Sequence, residues 1–290
     1  MLKISIIVLV KTMKEFICGK YTLPLGKKTY IMGILNVTPD SFSDGGKYND
    51  VRRALEHTEK MIEDGADIID IGAVSTKPFS VSVSDKEEWE RLKPVLREIR
   101  KNFNVPVSVD TVSSVTAEKS LYLGADIIND VSGIFSSDMA EIIKKYNAGW
   151  VIMHGGVGVH KAQDVVDFNG GIINSVNEFF EKMLEDISMF GIPLNRICLD
   201  AGFGFAKTNE QNIELLKNFE KLNNPSLPLL CALSRKRFIG KISGEEDSSD
   251  RLGGTLAANI TAVIKGADII RVHEIPLHKK SIDTIDNIYR

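Results

Sequence analysis

The chain has 290 residues, a formal net charge of -3, 43% hydrophobic residues and 26% charged residues, the balance of a soluble globular protein with room for one large domain or two small ones. So small a net charge gives no electrostatic case for binding nucleic acid or an anionic membrane. Cys18, Cys198 and Cys231 are far apart and show no paired spacing, which argues against a disulfide framework or a zinc site and suits a reducing cytoplasm; they read as buried structural thiols.

In chain order, the first stretch is "MLKISIIVLVKTMKEF". Its apolar run, Ile4 to Val10, is too short to span a bilayer, and no small-residue cleavage site follows it. Two readings stay open: an extra first strand, or residues ahead of a true start at Met13. Residues 1–13 are therefore set apart as an N-terminal extension. Residues 14–30, "KEFICGKYTLPLGKKTY", predict a β-hairpin. The strand "YIMGILNV" follows and runs into the polar loop of "ILNVTPDSFSDGG" at residues 34–46. Amphipathic segments such as "VRRALEHTEKMIEDG" and "SDKEEWERLKPVLREIRKN" then alternate with short apolar runs: "VPVSVD", "GWVIMH", "RICLD" and "PLLCALS". One phrase recurs three times, in "EDGADIIDIG", "YLGADIINDVSG" and "IKGADIIRVHEI", and reads each time as a helix end, a Gly cap and a β-branched strand. The count is about eight strand–helix units, the pattern of a (β/α)8 TIM barrel. An open doubly wound sheet is the runner-up, weakened because no Gly-rich fingerprint follows the first strand. The reading is α/β: one barrel domain over 14–290, with the hairpin capping the barrel's N-terminal mouth.

Barrel enzymes carry their chemistry at the C-terminal ends of the strands. Five residues beyond each Gly of "GADII" stand Asp70, Asn129 and Arg271, and His273 shares a face with Arg271. The other strands end on Asn36, Asp110, His154, Asp200 and the "SRK" of Ser234 to Lys236. Each alone could be a solvated strand end, Asp110 could be a helix cap, and "SRKRFIGK" could be a solvated basic loop. Together they predict a rim. Asp110, Asn129 and Asp200 supply acceptors and an amide, suited to a flat heterocycle with several N–H donors. Arg271, His273, Lys236 and Asn36 supply donors, suited to phosphate groups. Ser41 and Ser43 have no His partner nearby in sequence, no G-x-S-x-G is present, and the five His form no zinc-type cluster. Positioning and electrostatics fit better than covalent catalysis.

"ILNVTPDSFSDGG" closely resembles the signature loop of the dihydropteroate synthase family, as do "GADIIDIG", "VPVSVDT", "GADIINDVSG", "VIMH", "SRKRFIGK", "GTLAANI" and "GADIIRVH", in order along the chain. The resemblance implies a (β/α)8 barrel that joins 6-hydroxymethyl-7,8-dihydropterin pyrophosphate to p-aminobenzoate, giving 7,8-dihydropteroate and pyrophosphate in folate synthesis, with Mg²⁺ assisting. Carried onto matching positions, it implies a pterin pocket of Asp110, Asn129, Asp200 and Lys236 with Met153 and Phe205 as apolar walls. Pyrophosphate would meet Asn36, Arg271 and His273, with Asn36 also near the metal. p-Aminobenzoate would meet Phe42, Thr76, Pro78, Ser234 and the stem of Lys236, with Lys77 on the same side. The implied catalytic groups are Lys236, Arg271, His273 and Asp110. C–O cleavage would run ahead of amine attack, under a lid formed by the opening loop and the "STKP" loop. A cytoplasmic homodimer is implied by the same resemblance.

The sequence departs from the family's usual "GGESTRPG" with "GAVSTKPFS": Val74 replaces an acid, Lys77 replaces Arg, and Phe79 is added. "LDAG" stands for "LDPG", the loop after "MH" is altered, and Arg237 replaces a small residue. Three readings follow: an ordinary synthase with a divergent loop, a synthase in which Phe79 discriminates against sulfonamides, and a pterin-binding paralogue that no longer condenses its substrates. Separate alternatives are a non-catalytic pterin-binding or regulatory protein and a folate-dependent corrinoid methyltransferase that would share the barrel and pterin pocket. The last has no need of the polar lid or of Arg271 and His273.

Overall fold

A computed structural model describes residues 14–38, 47–74, 83–155, 168, 170–222 and 227–290. Strands β1 (Glu15–Cys18) and β2 (Tyr21–Pro24) pair antiparallel as the expected hairpin. Eight parallel strands follow: β3 (Tyr30–Asn36), β4 (Ile68–Gly72), β5 (Val107–Asp110), β6 (Ile127–Asp130), β7 (Gly149–Met153), β8 (Ile197–Asp200), β9 (Leu229–Cys231) and β10 (Ile269–Val272). β10 pairs with β3 and closes the barrel. The α-helices among the described residues are α1 (Lys47–Glu63), α2 (Asp85–Asn102), α3 (Ser114–Tyr122), α4 (Ser137–Tyr146), α5 (Ile172–Met189), α6 (Asn209–Lys217), α7 (Arg237–Ser243), α8 (Leu252–Ile264) and α9 (Ile275–Tyr289). None of them is long and apolar enough to cross a membrane.

Local chemistry sets the boundaries. Ser84, Ser113 and Ser136 accept from the backbone N–H of Glu87, Thr116 and Met139 and so start α2, α3 and α4; Thr208 and Gln211 form a reciprocal capping box on α6. The threefold phrase has a physical meaning. Gly65, Gly124 and Gly266 turn the chain at φ +101, +107 and +102, angles that favour glycine. Two residues on, Asp67, Asp126 and Asp268 accept from the backbone N–H of Ile31, Val107 and Leu229, each at 3.0 Å. Each of these acids also holds a cation: Lys28, Arg100 and Lys14 respectively. The repeat thus staples adjoining strands at the N-terminal end of the barrel.

Two apolar cores result. One lies between barrel and helices. The other fills the bottom of the barrel, where Ile68, Ile127, Val151, Cys198, Leu230 and Ile269 pack against Phe16, Cys18, Leu23 and Leu25 of the hairpin region. The hairpin is therefore a plug, as expected, and all three cysteines are buried and unpaired.

Candidate active site

The strand pleat builds the site upward from that floor. Side chains alternate along a strand, so two steps above the floor residues stand Asp70, Asn129, Met153, Asp200, Ala232 and Arg271; two more steps reach Gly72, Ser234 and His273. Asp110 ends β5 between Gly72 and Asn129 in register. The polar residues of the predicted rim are thus brought together at one end of the barrel. His154 is the exception. It lies out of phase with Val151 and Met153, and its ring packs on Phe168 and Phe179, the latter on α5. Burial lowers its pKa to about 3, so it is neutral. Nor is Asp110 a helix cap, since Ser113 takes that role on α3.

Arg271 is the hub. Its Nε donates to Asp70 Oδ2 at 2.7 Å and Nη2 donates to Asp110 Oδ2 at 2.8 Å. The same Asp70 oxygen accepts from Asn129 Nδ2 at 3.4 Å. Burial disfavours charge on Arg271, but Asp70 and Asp110 outweigh it and raise its pKa, so the guanidinium stays cationic. Burial pushes Asp110 up to about 7, with Arg271 pulling down against it and Asp70 and Glu88 pushing further up. Asp200 is likewise raised by burial, opposed by the Gly202 N–H it accepts at 2.8 Å and by Lys236. Burial lowers Lys236 to about 8 despite Asp200; its ammonium sits 4.3 Å from the centre of the Phe205 ring.

At the outer edge, Ser234 Oγ lies 2.8 Å from His273 Nδ1 and accepts from the His273 backbone N–H at 3.3 Å. This pair fixes the ring of His273 against Ser234 in either tautomer. Asn36 is exposed at the top of β3; a β-carbon added at Gly72 would lie 3.6 Å from Asp110 Cβ and 3.9 Å from both Asn36 Oδ1 and Asp110 Oδ2, so the amide and the carboxylate flank one small gap. Within the barrel, Asp70 Oδ1, Asn129 Oδ1 and Ser108 Oγ are buried with no hydrogen-bond partner. Buried acceptors without donors are costly, and such a set is what a ligand rich in N–H groups satisfies.

A sequence model of the pterin binding enzymes matches residues 32–273. The dihydropteroate synthase of Synechocystis is 39% identical over 273 residues, 94% of each chain, and that of Clostridium beijerinckii is 38% identical over 94% of this chain and 98% of its own.

This chain belongs to the dihydropteroate synthase family of pterin-binding enzymes.

Solved members of the family have the same fold. A synthase from Clostridium difficile, crystallised in the presence of pteroic acid, superposes with a TM-score of 0.86 at 40% identity, covering 92% of this chain and 98% of its own. One from Xanthomonas albilineans with 4-aminobenzoic acid gives 0.88 at 32% identity, covering 96% and 98%. Of the positions that the family resemblance singles out, Asn36, Asp110, Asn129, Met153, Asp200, Phe205, Ser234, Lys236, Arg271 and His273 lie in the described barrel. Phe42, Thr76, Lys77 and Pro78 lie outside the described residues, as does Phe79. Sequence reasoning placed Asp70 on the rim but gave it no task; its register with Arg271, both five residues beyond a repeat Gly, was the available signal. It passed over Ser108 and Lys207, which carry no local mark of burial.

Proposed function

We propose that this chain condenses 6-hydroxymethyl-7,8-dihydropterin pyrophosphate with p-aminobenzoate, releasing pyrophosphate and forming 7,8-dihydropteroate. The observation that carries this reading is the unpaired Asn129 oxygen beside Asp110 in register, with Asp200 and the Arg271 guanidinium on the same inner face. The amino-pyrimidinone edge of a pterin offers N–H groups to those acceptors. Met153 and the Phe205 ring supply apolar walls, as the resemblance implies. Arg271, fixed by two carboxylates, and His273, fixed by Ser234, form the cationic and donor end for the pyrophosphate.

In this scheme the C–O bond breaks first. Its electron pair leaves with pyrophosphate, and the positive charge on the methylene carbon spreads into the dihydropterin ring. The amine of p-aminobenzoate then forms the C–N bond and loses a proton to water. The protein's contribution is to hold the two partners in line and to stabilise the departing anion with charges already in place. Asn36 and Asp110 offer oxygen donors of the kind Mg²⁺ prefers. Those two side chains would hold the ion; among the described residues no group of three or more His, Cys, Asp or Glu could hold a metal by itself. When bound, Mg²⁺ neutralises charge on the leaving pyrophosphate.

The synthase relatives favour this reading over a corrinoid methyltransferase; a Burkholderia cenocepacia synthase was crystallised with 7,8-dihydropteroate. A cytoplasmic homodimer extends the proposal. The unpaired thiols fit a reducing compartment, and Leu277, Ile288 and Tyr289 of α9 expose apolar surface for a partner. The test is to incubate the pure protein with both substrates and Mg²⁺. Pyrophosphate release that requires p-aminobenzoate is expected; release without it, or none, overturns the proposal.

A further inference from the structure

Lys207 has no part in the scheme above, yet it is buried to 6% exposure a few residues from Asp200. Its ammonium donates to three backbone carbonyls: His154 at 2.9 Å, Gly202 at 2.9 Å and Phe205 at 3.1 Å. An ammonium has three N–H groups, so every one goes to the main chain and none is left for a substrate. The carbonyls come from two segments. His154 follows β7, and Gly202 and Phe205 belong to the turn after β8.

That turn needs holding. Gly202, Gly204 and Ala206 stand at φ +66, +77 and +52, three left-handed residues within five, and Ala206 has a side chain that disfavours this conformation. The turn also passes very close to β7, since a β-carbon at Gly202 would fall on the His154 carbonyl oxygen. Carbonyl dipoles that converge so tightly repel one another unless a cation sits among them. Two pocket features hang on the same few residues: the Asp200 carboxylate accepts from the Gly202 N–H at 2.8 Å, and Phe205 places its ring under Lys236. A second brace comes from α6, where Asn212 accepts from the Gly204 N–H at 2.7 Å and donates to the Thr208 carbonyl at 2.6 Å. Burial lowers the Lys207 pKa to about 7, with Asp200 favouring its charge and Lys236 opposing it; the three converging carbonyls are the acceptors that suit its ammonium form.

We propose that Lys207 is a positioning residue of the pterin pocket: by cross-linking the ends of β7 and β8 through three carbonyls, it presents the Asp200 carboxylate and the Phe205 ring together to the bicyclic substrate. The inference rests on the pterin reading and adds to it a residue that touches no substrate. A purely structural Lys207 would affect both substrates alike. A positioning Lys207 affects one.

The experiment compares full-length wild type with Lys207→Met, measuring kcat, both KM values and the melting temperature. The expected result is a KM for the pterin pyrophosphate raised about tenfold or more, with the p-aminobenzoate KM within about twofold, since a slightly misplaced binding group costs on that scale. An unchanged pterin KM overturns the proposal, and so does an equal rise in both KM values. Should Lys207→Met fail to fold, Asn212→Ala removes the turn's other brace: a pterin KM raised at least about threefold supports the proposal, and an unchanged one overturns it. Wild type without p-aminobenzoate-dependent pyrophosphate release brings down the synthase reading and this inference together. Active wild type with an unaltered variant brings down this inference alone.

Discussion

Arg271 Nε donates to Asp70 Oδ2 at 2.7 Å, tying the last barrel strand to the second across the interior. Asp70 has no exposed surface, and no solvent can take over its part. Asp70→Asn keeps the shape and one acceptor but removes the charge that orients the guanidinium. It should destabilise the protein by about 1–3 kcal/mol in urea denaturation, below the full cost of orphaning a buried charge because Asp110 still pairs with Arg271. Its kcat/KM for the pterin pyrophosphate should fall by about tenfold or more. Wild-type stability in this variant would show that the pair has no orienting role.

Arg271 holds its two carboxylates through separate nitrogens of one planar fork. Lysine keeps the charge but offers a single point donor. Arg271→Lys should therefore lower kcat by about a hundredfold, because a leaving-group donor acts in the transition state. The p-aminobenzoate KM should barely move. A kcat within threefold of wild type would contradict the assignment of Arg271 to the pyrophosphate.

The pairing of Arg271 with Asp110 also marks where sequence reading stopped. The barrel was legible because strand-length apolar runs alternate with amphipathic helices, and the "GADII" repeat gives the register of three strands directly. The rim was legible because Asp70, Asn129 and Arg271 hold equivalent places in that repeat. Chemical sorting put Asp110 with a heterocycle and Arg271 with phosphate. Barrel closure instead brings these two side chains, 161 residues apart, into one ion pair. His154 stands one residue beyond β7 and out of phase with Val151 and Met153, so its ring packs outward on Phe168 and Phe179 and not into the rim. Lys207 was invisible because its three partners are backbone carbonyls, which no side-chain pattern announces.

Asp110 titrates at about 7, raised chiefly by burial. Below that pH the carboxyl is protonated and, in the proposed pterin pocket, would lose acceptor capacity toward the ligand's N–H groups. The affinity for a pterin ligand should weaken as pH falls from about 8 to 6, approaching roughly tenfold per unit where one proton must leave on binding. Asp110→Asn should bind weakly and with a flatter pH profile by calorimetry. In the ligand-free protein the sign reverses. A raised carboxyl pKa contributes stability that is full below the unfolded value of 3.8 and lost as pH rises through about 7, so wild type minus Asp110→Asn should trend downward across that window.

Asn36 is exposed at the barrel mouth, its amide oxygen bordering the same space above Gly72 as the Asp110 carboxylate. If it shares Mg²⁺ with the substrate, EDTA should abolish turnover and added Mg²⁺ should restore it. Asn36→Ala should then raise the Mg²⁺ concentration for half-maximal rate by about tenfold, the scale of one lost metal contact. Full activity in excess EDTA would remove the metal from the proposal.

Phe16 seals the opposite end of the barrel. It is fully buried, and a β-carbon at Gly149 would lie 2.7 Å from its Cζ and 2.8 Å from Cys18 Cβ. Phe16→Ala should cost about 3–5 kcal/mol of stability by opening a cavity, and Gly149→Ala about 1–3 kcal/mol by overpacking. The double variant tests whether the hairpin is a fitted plug. The new methyl at Gly149 would occupy space that the missing ring vacates, so the combined loss should fall short of the sum by about 1 kcal/mol or more. Strict additivity would mean that the hairpin only lies near the barrel floor. Both KM values should be unchanged throughout, because the perturbed contacts sit at the N-terminal ends of strands whose C-terminal ends carry the site.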